Sequence, residues 1–243
     1  MTRQRIDHLL VEKGFFATRS LARAAIEAGL VVADGKRVDK PSRLFEGSVS
    51  LSAEPPFATV SRAGEKLRAA LDAAPFDPAG LVALDLGAST GGFTDLLLQR
   101  GARRVYAVDV GHGQLHPRLL ADPRVINLEG LDARQVSEAE IPEQIDLLVA
   151  DLSFIGLAKA IPAGLARLRP SGGLIVLVKP QFEAGPGAGK NGVIRDAAVH
   201  QRVLAEVEAA LTGLGIAVLT TLPSPITGGD GNQEFLLIGR KSA

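Results

Sequence analysis

Two lysines and two carboxylates stand where an α/β sheet would offer them to a ligand. Asp151 closes an apolar run in VADLSF, and Lys179 closes another in VLVKPQF. Glu234 opens the last apolar run in GNQEFLL, and Lys66 lies in the amphipathic stretch SRAGEKLRAALDAA, residues 61–74. Open sheets bind ligands beyond the carboxyl ends of their strands, which is where Asp151 and Lys179 belong. A lysine directly after IVLV has little reason to be there for packing, because an unpaired ammonium is costly to bury. Its chemistry would be to activate or orient a hydroxyl. Free lysine titrates near ~10.4; a second ammonium lowers that value and carboxylates raise it, so the mixture poises the amine. A structural ion pair between Lys179 and Asp151 is the competing reading of the same residues.

A second set surrounds LDLGASTGGFTD, Leu84 to Asp95. A buried strand delivers Asp85, and Gly87, Gly91 and Gly92 then permit a tight turn and close approach of a ligand to the backbone. The next apolar run, RVYAVDV, brings Asp109, a carboxylate able to accept both ribose hydroxyls of an adenosine. Dinucleotide sites usually space their glycines GxGxxG around a pyrophosphate, whereas here the spacing is GxxxGG with an acid just before it. That acid disfavours a phosphate and suits a cofactor with an amino-acid end and a sulfonium. The set favours an adenosine-containing cofactor over an ordinary glycine-rich turn. Asp132, in EGLDARQ, is placed either to reach the adenine amino group or to be a solvated loop acid.

The elements that position these residues follow from the hydrophobic pattern. From about residue 60, near-continuous apolar runs alternate with helical stretches, as expected for strands buried on both faces of a mostly parallel sheet. The strand candidates are LVALDLG (81–87), RVYAVDV (104–110), VINLEG (125–130), IDLLVADL (145–152), GLIVLVKP (173–180), IAVLTTL and EFLLIGR, the last two forming an antiparallel pair. Helices are expected at 61–74, after the glycine turn, over GLAKAIPAGLARLRP and over 197–215. Residues 1–56 have a different grammar: helices over Arg5–Lys13 and Arg19–Ala28, the latter opened by Thr18, then short β runs LeuValVal and SerValSerLeu around the turn AspGlyLys. Leu9, Leu10, Leu21, Ile26, Val31 and Leu51 are the expected core of this small α+β domain. The AEPP run at 53–56 reads as a linker, and the second domain spans 57–243. The adjacent Phe15 and Phe16 are expected to join the two domains.

The formal net charge is zero, 27 Lys+Arg against 27 Asp+Glu, which lowers the expectation of a nucleic-acid partner. Residues 1–52 alone carry nine basic and six acidic side chains, net +3, which restores part of it. With no cysteine there are no disulfides, thiolate ligands or cysteine nucleophiles. His112 and His116 are separated by Gly113 and stand before Pro117, so no metal site is expected. No signal-peptide core and no run of about 18 apolar residues is present, which points to a soluble cytoplasmic protein.

These residues also carry a family resemblance. RIDHLL, TRSLARAAIEAGLV, VSRAGEKL, LDLGASTGGFTD, AVDVGHGQL, ADLSFI, VKPQFEAG, GVIRD and SPITGGDGNQEFLL occur in order over nearly the full chain. The chain resembles the haemolysin-A-like (TlyA) ribosomal RNA ribose 2′-O-methyltransferases, with an FtsJ-like catalytic domain. The resemblance implies a Rossmann-like class I methyltransferase sheet of seven strands with the last antiparallel. It implies S-adenosyl-L-methionine as cofactor and the tetrad Lys66, Asp151, Lys179 and Glu234 as the catalytic set, Lys179 assisting deprotonation of a ribose 2′-hydroxyl, with cytidine the target. Ser89, Phe93 and Asp151 join Asp85, Gly87, Gly91, Gly92, Asp109 and Asp132 in the implied cofactor-binding set. Residues 5–51 resemble a small RNA-binding domain of ribosomal proteins, with Arg5, Arg19, Arg23, Lys36 and Arg43 as candidate contacts. In the second domain Lys190 and Arg195 are the phosphate-contact candidates. The partner implied is ribosomal RNA or a ribosomal subunit, and a monomer with no metal and no stable membrane association is expected. A membrane-active haemolysin and a non-catalytic RNA-binding or ribosome-assembly factor are the competing functions. The first lacks a spanning or long basic amphipathic segment, and the second leaves the intact tetrad unexplained.

Overall fold

In the computed structural model the chain divides into two compact units, Met1–Ala58 and Thr59–Ala243. The structure describes residues 3–185, 188 and 192–243. The small unit runs β1 (Arg3–Arg5), α1 (Ile6–Glu12), α2 (Arg19–Glu27), β2 (Val31–Ala33), β3 (Lys36–Arg37), β4 (Leu44–Glu46) and β5 (Leu51–Ala53). Thr18 caps α2, its hydroxyl accepting the Leu21 N–H at 3.3 Å. Strand β2 is the centre of a three-stranded antiparallel sheet, β3-β2-β5, and β1 pairs antiparallel with β4. Leu9, Leu10, Ile26 and Val31 are buried in its core, with Leu21 and Leu51 half-buried against it.

Three details of this unit differ from the sequence reading. The β1–β4 pair was not foreseen, because RQR and LFE show no clean apolar alternation. The expected strand SerValSerLeu starts only at Leu51, Val49 lying in a turn whose N–H donates to the Glu46 carbonyl at 3.1 Å. Phe16 packs into this unit's own core, and only Phe15 is exposed.

The larger unit continues with α3 (Ala63–Ala73), β6 (Val82–Leu86), α4 (Gly92–Gln99), β7 (Arg104–Asp109), α5 (Pro117–Leu120), β8 (Val125–Glu129) and a 3₁₀ turn (Ala133–Gln135). There follow β9 (Ile145–Ala150), α6 (Leu157–Ala160), α7 (Pro162–Arg167), β10 (Leu168–Val178), α8 (Pro180–Glu183), α9 (Ala197–Gly213), β11 (Ile216–Pro223) and β12 (Phe235–Lys241). All seven expected strands form one sheet in the order β11-β12-β10-β9-β6-β7-β8, with β12 antiparallel to both neighbours. The helix expected across 156–170 is instead two: Pro162 cannot donate an N–H and opens α7 at its first turn. Strand β10 then starts at Leu168, five residues earlier than expected, with a register break before Gly173.

The sheet is covered on both faces, which explains the continuous apolar runs. Along β6, Val82, Leu84 and Leu86 face the layer formed with α6, α7 and α9, while Ala83 faces the layer of α3 and α4. Burying one such leucine stabilises the fold by roughly 1.5–3 kcal/mol relative to leaving it exposed. The strand order reverses direction between β6 and β9, so a crevice opens beyond their carboxyl ends.

Candidate active site

Around that crevice the structure gathers all four residues of the lysine–carboxylate set. Lys66, from the second turn of α3, reaches Glu234 Oε2 at 2.6 Å and Asp151 Oδ2 at 3.8 Å. Lys179, just past β10, places Nζ 2.6 Å from Asp151 Oδ1 and donates to Ser153 Oγ at 3.0 Å. Asp151 therefore presents one oxygen to each ammonium. The side chains of Lys66, Lys179, Asp151 and Glu234 are 7%, 10%, 16% and 3% exposed, so two positive and two negative charges balance in a mostly dry cluster. Desolvating four charges stabilises a fold poorly. That favours a chemical purpose over the purely structural ion pair, which is nonetheless present.

Backbone features shape this cluster. A Cβ at Gly228 would lie 2.8 Å from Glu234 Oε1, so any larger residue there would make the carboxylate shift. Asn232, fully buried, pins the turn before Glu234: its Oδ1 accepts the Ile194 N–H at 2.9 Å, and its Nδ2 donates to Asp230 Oδ2 at 2.8 Å and the Gly192 carbonyl at 2.9 Å.

The glycine-rich turn adjoins the cluster. Gly87 has φ +83°, and a Cβ there would lie 2.5 Å from the Asp151 carbonyl oxygen, so the ends of β6 and β9 meet only because the residue is glycine. Gly91, at φ +93°, caps α4. Gly92 serves packing, since a Cβ would sit 2.9 Å from that of Ala63. Phe93 is buried in the core beneath.

Asp85 differs from the expected acid at the strand mouth. It lies inside β6, fully buried and facing α4, with Oδ2 accepting from Thr94 Oγ1 at 2.7 Å and Oδ1 without a hydrogen-bond partner among the described residues. Burial pushes its carboxyl up to about 7 against the opposing Thr94 hydrogen bond, and the charges of Asp151 and Asp109 push the same way as burial. Asp109, at the end of β7, accepts the Ser89 N–H at 2.8 Å and the Gly111 N–H at 2.7 Å. Ser89 is exposed and left-handed, at φ +48°. Asp132 caps the 3₁₀ turn and pairs with Arg134 at 2.6 Å; hydrogen bonds from Arg134 hold its carboxyl down.

Other features were not legible in the sequence. Phe154 is 91% exposed, has φ +65°, and its ring lies 5.0 Å from that of Phe182, which in turn lies 6.0 Å from the Lys179 ammonium. The left-handed backbone and the exposure of Phe154 depend on its surroundings, and φ leaves no trace in composition.

In the small unit, Arg5 and Arg19 converge on the fully buried Asp7, at 3.0 Å and 2.9 Å. Burial would raise the Asp7 carboxyl, yet hydrogen bonds from both arginines hold it well below its ordinary range. Arg23, Lys36 and Arg43 are exposed, Arg43 lying 5.3 Å over the Phe45 ring. Arg195, in the larger unit, is exposed, and Lys190 lies outside the described residues.

The model of the FtsJ-like methyltransferases matches residues 59–241, which hold the crevice and every member of the lysine–carboxylate cluster. The chain belongs to that family. Residues 4–48 of the methyltransferase match the S4 domain. Over 238 residues it is 41% identical to the Mycobacterium tuberculosis 16S/23S rRNA (cytidine-2′-O)-methyltransferase TlyA, covering 97% of this chain and 89% of that one. The solved structure of a Streptococcus thermophilus protein described as a hemolysin superposes with a TM-score of 0.79 at 40% identity, covering 100% of this chain and 90% of the other. An S-adenosylmethionine-dependent methyltransferase from Mesorhizobium loti shares the fold at a TM-score of 0.52 and 18% identity, over 71% of this chain and 96% of its own. Among the described residues of the methyltransferase no helix is long and apolar enough to cross a membrane.

Proposed function

We propose that this methyltransferase transfers a methyl group from S-adenosylmethionine to the ribose 2′-hydroxyl of cytidine in ribosomal RNA. The observation that carries the reading is the Lys66–Glu234/Asp151–Lys179 cluster at the carboxyl ends of β9 and β10, one step along the sheet from the glycine turn. The crevice suits the cofactor. The Asp109 carboxylate at the end of β7 favours a cationic sulfonium and ammonium over a phosphate there. Asp85 retains an unpartnered oxygen among the described residues, and Gly87, at φ +83°, lets the ends of β6 and β9 come together at the crevice.

Gly87, Ser89, Gly91 and Asp109 would hold the cofactor, Asp109 accepting ribose hydroxyls and Asp132 reaching the adenine side. When bound, the cofactor supplies an activated methyl group on a positive sulfur. Lys179, once its ammonium has released a proton to solvent, orients the 2′-hydroxyl and accepts its proton as the oxygen takes the methyl group, while Asp151 fixes the amine and offsets the charge it regains. Lys66 and Glu234 hold Asp151 in register and keep the cluster neutral. Phe154 offers a face on which the target base stacks once it leaves its helix. Arg5, Arg19, Arg23, Lys36 and Arg43 of the S4 domain, with Lys190 and Arg195, contact RNA phosphates and shape.

The test is methyl transfer from labelled S-adenosylmethionine to ribosomal RNA and to isolated subunits, followed by nuclease digestion and nucleoside analysis. Label in 2′-O-methylcytidine is expected. Label on a base, or no label with either substrate, overturns the reading.

A further inference from the structure

Glu129, at the carboxyl end of β8, belongs neither to the tetrad nor to the cofactor set read from the sequence. Its carboxylate accepts three successive backbone N–H groups, from Gly113 to Oε2 at 2.9 Å and from Gln114 and Leu115 to Oε1 at 2.8 Å and 3.1 Å. Successive amides that converge in this way form an anion-binding concavity. Here the anion is a side chain from the adjoining strand. Hydrogen bonds from Leu115, Gly113 and Gln114 hold the Glu129 carboxyl down to about 2, so the clamp stays charged across the neutral range.

The clamped segment is the one that leaves β7 after Asp109, and it reaches the cofactor turn by several routes. Gln114 Oε1 accepts the Ser89 hydroxyl at 3.0 Å. Ser89 in turn donates its N–H to Asp109, which also accepts from Gly111. The Gly130 N–H, next to Glu129, donates to the Gly111 carbonyl at 3.0 Å. Leu115 is buried where a Cβ on Gly91 would meet it at 2.8 Å. Val110, 66% exposed, starts the same segment with an apolar face beside Asp109. A stretch containing Gly111 and Gly113 would otherwise sample many conformations, and ordering it on ligand binding would cost affinity.

We infer that Glu129 is a positioning residue for the cofactor: by fixing residues 113–115 it fixes Gln114 and Ser89, and through Ser89 the Asp109 carboxylate that receives the adenosine ribose. The inference rests on the proposed use of S-adenosylmethionine. Its test is calorimetric titration of the full-length parent, Glu129→Gln and Glu129→Ala with S-adenosylmethionine and with S-adenosylhomocysteine, together with steady-state rates. Glu129→Ala is expected to weaken both ligands tenfold or more, and Glu129→Gln by less, because it keeps one accepting oxygen. The rate at saturating cofactor should stay within twofold and the KM for RNA should be unchanged. Parent-like affinity in Glu129→Ala, or a fall in saturating rate with affinity retained, overturns the inference. Where the alanine variant fails to fold, the glutamine variant decides by the same criteria. A parent that binds cofactor while Glu129→Ala binds equally well removes this inference alone. A parent that binds neither ligand removes the functional reading and this inference with it.

Discussion

Asp7 in the small unit and Asp151 in the larger one are both carboxylates gripped by two cations, yet the cations differ in kind and in exposure. Asp7 holds Arg5 and Arg19, whose side chains stay 42% and 47% exposed while the acid is sealed. Asp151 holds Lys66 and Lys179, both nearly buried. Arginine is permanently charged and planar, so anchoring one edge to a buried acid leaves a fixed fork for an outside partner such as a phosphate. Lysine can give up its proton when its surroundings change, so a buried lysine beside a carboxylate can take part in proton transfer. The arginine cluster holds its charges still, whereas on the proposed reading the lysine cluster lets a proton move.

The sharpest break of that comparison is Lys179→Ala, which should lower methyl transfer about a thousandfold, in the range of a lost general base. Cofactor affinity should stay within about threefold, since the proposed partner of Lys179 is the hydroxyl and not the adenosine; single-turnover rates and cofactor titration check both. An equal loss in both would move Lys179 into the cofactor site.

Next in size is the stability of the dry cluster. Glu234→Leu should destabilise the fold by about 3 kcal/mol or more, because Lys66 keeps only the Asp151 contact at 3.8 Å and the dry cluster is left with one uncompensated positive charge. The double variant Lys66→Met/Glu234→Leu should recover most of that loss in denaturant unfolding while staying inactive. Failure of the double variant to recover would mean that the pair itself holds the fold.

Asp7→Asn separates positioning from charge. Removing a negative charge should tighten RNA binding if net charge alone mattered. Loss of the anchor should instead weaken it about tenfold, which is about 1.4 kcal/mol, read by filter binding at fixed salt. Tighter binding would make Asp7 a mere neutraliser.

The smallest effect contrasts two buried acids through pH. Asp7 is depressed when folded, so its contribution is present above its unfolded value near ~3.9 and is lost in stronger acid. Asp85 is raised to about 7, so its folded form binds a proton that the unfolded chain has already lost. Its contribution is complete at low pH and declines as pH rises from about 4 to about 7. Asp85→Asn should flatten that decline, by about 1 kcal/mol between pH 5 and 6 in denaturant titrations. An unchanged slope would show that Asp85 stays ionised.

Much of this could be read from local pattern. Seven apolar runs became seven strands, because a run that must be covered on both faces announces itself whatever lies elsewhere. Thr18 before α2 and the glycines before α4 were equally local signals. The misses were also local in cause. RQR pairs with LFE through backbone groups that any residue carries, and Pro162 divides a helix whose composition reads as continuous.

What the sequence by itself determined is therefore the order of elements and the kinds of groups available: two lysines, their acids, and a glycine turn with an acid before it. Only the tertiary structure decided how those groups meet. Lys66 and Glu234 are 168 positions apart and touch at 2.6 Å, because α3 and β12 reach the same end of one sheet. The tertiary structure also decided that Asp85 lies beneath the crevice, that Phe154 stands out in water, and that Glu129 spends its charge on a neighbouring loop. Period and propensity act over a few residues, whereas burial, convergence of amides and the balance of charges depend on which distant segments the packed sheet brings together.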